Sequence, residues 1–237
     1  MDKKKSNNRS QRKPTKRYRE KEINIIEGAL KVFGEKGFEE TTLSAISQAA
    51  NISEATFYEY FSSKEEVLFS ISKLYTQREL DRMMAIAPYV HGARERMRLI
   101  IQAYLEFYEN NRLYTAVALL TLKGSRNFIK SEAYQVVKEA ARTVADVYKE
   151  GITEGVFRED LDPYLVRNMV LGFIEHLTTQ WLLVGRPDSI SQQRDTIFDM
   201  VMRAVEKRAD ISSVELNIQV KGLPVRTDPS ESNDNPK

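Results

Sequence analysis

The 237-residue chain is 41% apolar and 30% charged, enough for a sizeable core in a helix-rich soluble protein of one large domain or two smaller ones. It has no cysteine, which excludes disulfides, a thiol nucleophile and thiolate-held zinc or iron–sulfur centres. The formal charge is only +2, yet ten Lys and Arg against Asp2 and Glu20 place +8 on residues 1–21 and leave −6 for the rest.

A basic arm on a mildly acidic body fits a polyanion bound at one end, or a solvated tail without a partner. No apolar stretch follows the basic start, so it does not read as a signal peptide. The longest apolar run, Leu113 to Leu122, is about half the length that crosses a bilayer. The protein is expected to be cytoplasmic, with no membrane partner.

In chain order, residues 1–18 are polar and aperiodic and read as a disordered basic arm. A helix is expected from Glu20, with Ile23, Ile26, Leu30 and Phe33 on one face and Gly37 as its stop. Thr42 can cap a short helix that turns Leu43, Ile46 and Ala50 inward. Asn51 breaks it, and Ser53 can cap a second short helix from Glu54 to Phe61. Ser63 and Glu66 have the spacing of a capping box that opens a longer helix through Val67, Leu68, Ile71 and Leu74. Further helices are expected near 93–110, 113–122, 127–154, 162–185 and 190–208. Asp162-Pro163 is a start signal, and Gly185-Arg186-Pro187 a stop. Residues 211–237 read as a mostly disordered tail, with a weak strand-like alternation over Val214–Val220.

The stretch most telling about function is 42–61, TLSAISQAANISEATFYEYF. Two short helices that cross need a small residue at the contact, here Ser47, and a turn residue tolerant of positive φ, here Asn51. Ile52, Phe57 and Phe61 point inward. That leaves Glu54, Ala55, Thr56, Tyr58 and Glu59 outward, as a major-groove helix requires. Thr42 and Ser53 sit at helix N-termini, where free N–H groups can meet a phosphate. Tyr58, Tyr60 and Lys64 read as phosphate-positioning groups. Ala55 and Thr56 are short enough to approach base edges, where their methyl groups could read thymine. A plain helical hairpin explains the apolar residues equally well, but not the exposed tyrosines beside a basic arm.

Residues 25–68 resemble the DNA-binding domain of the TetR family of transcription regulators. The likeness rests on the EKGF turn, the Thr41-Thr42 pair, the ATFYEYF helix and the SKE opening, and extends over about residues 19–79. Asn51 stands where glycine is usual, Tyr60 where histidine is common and Gly34 where alanine is usual. The resemblance implies a homodimer on a palindromic double-stranded DNA operator. Thr42, Tyr58 and Lys64 would hold phosphates, Glu54, Ala55 and Thr56 would face bases, and Arg17, Arg19 and Lys21 would add backbone or minor-groove contacts.

Residues 80–210 are expected to bind a ligand and to dimerise. The 162–185 helix shows two apolar stripes. One is Met169, Gly172, His176, Thr179 and Leu183; the other is Val166, Val170, Phe173, Leu177, Trp181 and Val184. A helix apolar on two sides buries both. The first stripe, with Val201 and Val205 of the last helix, is expected to form a four-helix dimer bundle; a monomer whose core absorbs both faces is the alternative. Tyr104, Phe107, Tyr108, Leu119, Phe173 and Trp181 either fill a core or line the effector cavity that the resemblance implies. Residues 147–181 look like the acyl-CoA-responsive, fatty-acid-metabolism branch of that family.

The reading is an all-α protein: a three-helix helix-turn-helix domain followed by a helical effector domain. Its expected function is repression, relieved by an apolar effector such as an acyl-CoA or fatty acid. A ligand-independent DNA-binding or recruitment protein is the second reading, and an all-helical enzyme the third. No catalytic residue is assigned, because there is no phosphate-cradling loop or nucleophile elbow. His91 and His176 lie on different elements, so no metal is expected, and no cofactor is called for.

Overall fold

Thr15 opens the first helix by accepting a hydrogen bond from the N–H of Tyr18. In the computed structural model, which describes residues 15–207, α1 runs Lys16–Glu40. The helix thus begins inside the stretch expected to be a disordered arm, because a side-chain cap is available at residue 15. The remaining arm residues, 1–14, and the tail with its Val214–Val220 alternation lie outside the described residues. Gly37 takes φ 78° and kinks α1 there, as its lack of a side chain permits.

Next come α2 (Leu43–Ala49), α3 (Glu54–Tyr60) and α4 (Lys64–Ile86), each started by the expected cap. Thr42 accepts from Ala45, Ser53 from Thr56 and Ser63 from Glu66. The Glu66 carboxylate reaches back to Ser62 rather than to Ser63, so the box is displaced by one residue. Asn51 adopts φ 52°, the positive value that the turn demands. Ser47 is buried at the crossing, and its carbonyl accepts from the N–H of Ile52 at 2.9 Å.

The remaining helices are α5 (Ala93–Asn110), α6 (Arg112–Leu120), α7 (Arg126–Ile129), α8 (Glu132–Thr153), α9 (Pro163–Val184) and α10 (Arg194–Val205). The single helix expected over 127–154 is two. Ser131 caps a new start through the N–H of Tyr134, and the chain turns between them. Asp162 and Gly185 bound α9 as expected. Among the described residues no strand forms; Phe157 and Glu206 make an isolated bridge that pins the end of α10.

Two apolar cores fill the described unit. The first joins Ile25, Leu30, Phe33, Ile46, Phe57, Phe61, Leu68 and Ile71 to Tyr114, Val117, Leu122 and Phe128. The second packs α5, α8, α9 and α10 around Met97, Ile101, Leu105, Tyr148, Phe157, Ile174 and Phe198. The first core therefore crosses the expected boundary near residue 80, because α6 and α7 lean on α1 and α4. Gly34 has a use here: a Cβ at this position would stand 2.6 Å from Leu113 Cδ2, so the glycine lets α1 approach α6.

Candidate functional site

The α2–turn–α3 unit presents the expected face. Glu54 and Ala55 are exposed, Tyr58 is 56% exposed and Thr42 and Ser53 are open to solvent at their helix ends. Thr56 is half-buried, and its hydroxyl shares a 3.0 Å hydrogen bond with Ser53, so its methyl is the freer group. Beneath them Phe57 is sealed, in contact with the Tyr58 and Phe61 rings. This division follows from the helical period: Phe57 points down and its neighbours point out.

Arg17, Arg19 and Lys21 are exposed along the start of α1. Tyr18, between the two arginines, stacks on Tyr60 with ring centroids 4.4 Å apart. Tyr60 is thus half-buried, its ring bracing α1 against the end of α3. The stack ties the segment carrying Arg17 and Arg19 to the recognition unit.

Lys64 too has partners within the protein. Its ammonium donates to the carbonyls of Phe38, Glu39 and Thr41 at 2.8, 3.2 and 3.2 Å, and lies 4.5 Å from the centre of the Phe38 ring. All three N–H donors are used to close the end of α1. Lys64→Ala should therefore lower thermal stability, by about 1–3 kcal/mol, and leave the salt dependence of DNA binding as it was. A fall in the salt slope would instead return Lys64 to the phosphates.

Away from this face, α4, α5, α6, α7, α8 and α9 line two adjoining spaces that share part of their walls. An outer one of about 500 Å³ is lined by Leu119, Leu122, Phe128, Tyr134 and Gly172, with Lys123, Lys138, Arg167 and Glu175 among its polar groups. An inner one of about 90 Å³ is lined by Thr76, Glu79, Met83, Tyr104, Phe107 and Thr143. Tyr108, Tyr114, Val137, Ala141, Leu171 and Glu175 belong to both. Burial pushes the phenols of Tyr104, Tyr108 and Tyr114 above the ordinary tyrosine value, so all three stay protonated.

Four of the six expected pocket residues therefore line the space: Tyr104, Phe107, Tyr108 and Leu119. Phe173 and Trp181 do not. The buried line of α9 advances by fours through Val166, Val170, Ile174 and Thr178, then by three to Trp181, and so takes Ile174 in place of Phe173. Phe173, flanking that line, is 43% exposed. Trp181 is core, with the Arg112 guanidinium 4.2 Å from its ring centre. Sequence reasoning missed Lys123, Lys138, Arg167 and Glu79. The small pair Ala140 and Ala141, facing an aromatic helix, was the available signal for open volume.

The expected dimer face divides as well. Met169, Gly172, His176 and Leu183 are exposed, and Thr179 is half-buried. Val201 and Val205 are buried in their own protomer, because α10 has one apolar stripe and α5 covers it.

Comparison with known proteins bears directly on these surfaces. Residues 25–71 match the family of bacterial regulatory proteins called tetR, and residues 76–204 match the YsiA-like protein C-terminal region. The fatty acid metabolism regulator protein of Bacillus subtilis is 24% identical over 193 residues, covering 81% of this chain and all of that one. The transcriptional repressor KstR2 of Mycobacterium tuberculosis is 24% identical over 187 residues, 77% of this chain and 92% of the other. The crystal structure of FadR from Bacillus subtilis in complex with stearoyl-CoA superposes with a TM-score of 0.71 at 24% identity, over 76% of this chain and 97% of that one. FadR from Bacillus halodurans gives 0.72 at 22%, over 77% and 94%. With the second match alone spanning more than half of its length, the chain belongs to the tetR family of bacterial regulatory proteins and carries a YsiA-like C-terminal region.

Proposed function

We propose that the protein is a dimeric transcription repressor that leaves its operator when an acyl conjugate with an anionic head, such as an acyl-CoA, enters the α4–α9 cavity. The observation that carries this reading is the course of α4. Val67, Leu68 and Ile71 at its start form the floor under the recognition unit, and Thr76, Glu79, Leu80 and Met83 further along wall the cavity. One unbroken helix belongs to both sites, so a ligand that displaces it at one end acts at the other.

A second set of interactions runs beside it. Tyr114, which lines both spaces, stacks on Tyr75 at 4.8 Å, and the Tyr75 hydroxyl donates to Glu27 of α1 at 2.7 Å. Arg78 holds the other Glu27 oxygen at 2.9 Å. The outer space has a size that suits a drug-sized or larger ligand. Lys138 and Arg167 give it the charge for an anionic head, with Lys123 shared with Glu175, and Leu119, Leu122 and Phe128 the lining for a chain. The stearoyl-CoA held by the Bacillus subtilis structure supports the same ligand class.

The dimer would form on the exposed side of α9, where Leu165, Met169, Phe173 and Leu183 stay uncovered around Gly172. Two copies would then present two α3 helices to a palindromic operator. This reading gives the protein no enzyme activity.

In a titration of a genome-selected operator complex with stearoyl-CoA, release in step with ligand binding is expected. Ligand binding that leaves the complex intact would refute the repressor-release reading. Replacing Arg17, Arg19 and Lys21 together by alanine should also lower the slope of log affinity against log salt by about 0.9 for each phosphate no longer neutralised. An unchanged slope would remove these cations from the interface.

A further inference from the structure

The inner space is mainly apolar, yet several polar side chains reach its wall. Most of its polar groups are already paired. Thr143 donates to the carbonyl of Ala140 at 2.7 Å, Thr76 and Tyr114 share a 3.3 Å hydrogen bond, and Arg82 grips Glu79 at 2.7 Å. Glu175 is held by Lys123. Two groups differ: among the described residues, the hydroxyls of Tyr104 and Tyr108 have no hydrogen-bond partner. Tyr108 is only 8% exposed, so this is a buried phenol without a mate. Neither hydroxyl is sealed in packed protein, since Ser47 Oγ is the fully buried side-chain oxygen without a partner among the described residues. What the two phenols touch is therefore the open volume that they line.

A phenol buried against apolar lining and left unpaired costs free energy, and a ligand that pairs it recovers that cost. We infer that the inner space is a recognition site for a neutral hydroxyl or carbonyl group at the far end of the effector, held by Tyr104 and Tyr108. Two phenols can both donate to a carbonyl, or one can donate to a hydroxyl while the other accepts from it. The group is neutral because the inner lining includes no Lys, Arg or His, and its two carboxylates are already paired, Glu79 with Arg82 and Glu175 with Lys123. The cations Lys123, Lys138 and Arg167 line the outer space. Charge thus orients the ligand, with its anionic head outward and its uncharged polar end inward. The effector class becomes an oxygenated acyl conjugate, distinct from a saturated one. This inference rests on the acyl-conjugate reading above.

The test compares saturated and ω-hydroxylated acyl-CoA probes at octanoyl, dodecanoyl and hexadecanoyl lengths, by calorimetric titration of the full chain. The sign of the difference decides. In a plain apolar tunnel the added hydroxyl must be desolvated without return and weakens binding at every length. With the two phenols waiting, the hydroxylated probe should bind about tenfold tighter at the length that reaches them. In a protein carrying Tyr104→Phe and Tyr108→Phe the order should invert, and the unliganded melting temperature should not fall, since neither hydroxyl holds another part of the protein. Tighter binding by the saturated probe at all lengths would overturn the inference and leave the acyl-conjugate reading standing. Failure of every probe to bind would overturn both.

Discussion

A Phe57→Ala protein should lose specific operator binding and should have an N-terminal unit less stable by about 3–5 kcal/mol. Phe57 is fully buried and among the largest such side chains in the protein. It is the inward residue of α3, and the α1, α2 and α4 residues around it form one continuous core. A seven-residue helix has no independent stability, so its place depends on this anchor. Loss of the ring leaves a cavity under the face that carries Ala55 and Tyr58. The second core, around Met97 and Phe198, shares no buried residue with the first, although half-buried Phe107 packs against both, and should lose less stability than the first. Thermal unfolding followed by circular dichroism, together with operator titration, would check both parts. Unchanged operator affinity would mean that α3 is not the reading element.

Gly151→Ala should do the converse and cost the effector half about 3 kcal/mol. Gly151 lies within α8, and a Cβ there would stand 2.0 Å from Phe157 Cδ2. The obstacle is a ring, fully buried and stacked on Tyr148, whose hydroxyl donates to the carbonyl of Arg158. The ring has no open space to move into. A shift of Phe157 would also disturb the bridge to Glu206 and the hydrogen bond from Arg158 to Val205. Weaker ligand binding is expected, with operator binding less affected. A variant as stable as the parent would show that the loop after α8 yields more easily than its packing implies.

The parts of this molecule readable from sequence are the local ones. Thr42, Ser53, Ser63 and Asp162 cap helices because a cap needs only the next few residues. Asn51 could be placed in its turn for the same reason, and the α3 face followed from spacing alone. The contacts of Lys64 with Phe38, Glu39 and Thr41 were not legible, because these partners lie more than twenty residues away in the chain. The Tyr60 stack was equally hidden, since its partner Tyr18 sits at the far end of α1. On α9, Phe173 and Ile174 lie on either side of the line from Val170, and pattern alone does not say which side the protomer keeps. The cavity needed six helices to be placed, so its cations, and the unpaired state of Tyr104 and Tyr108, were beyond any local pattern.

The claim on which the rest stands is that the outward face of α3 reads base edges, twice per operator. It is tested most directly by selecting bound fragments from random duplex DNA with the parent protein and with Ala55→Ser. The account predicts a palindromic consensus for the parent, and for the variant a changed base preference at one position mirrored in both half-sites. The same consensus from both proteins, or no consensus from either, would contradict it.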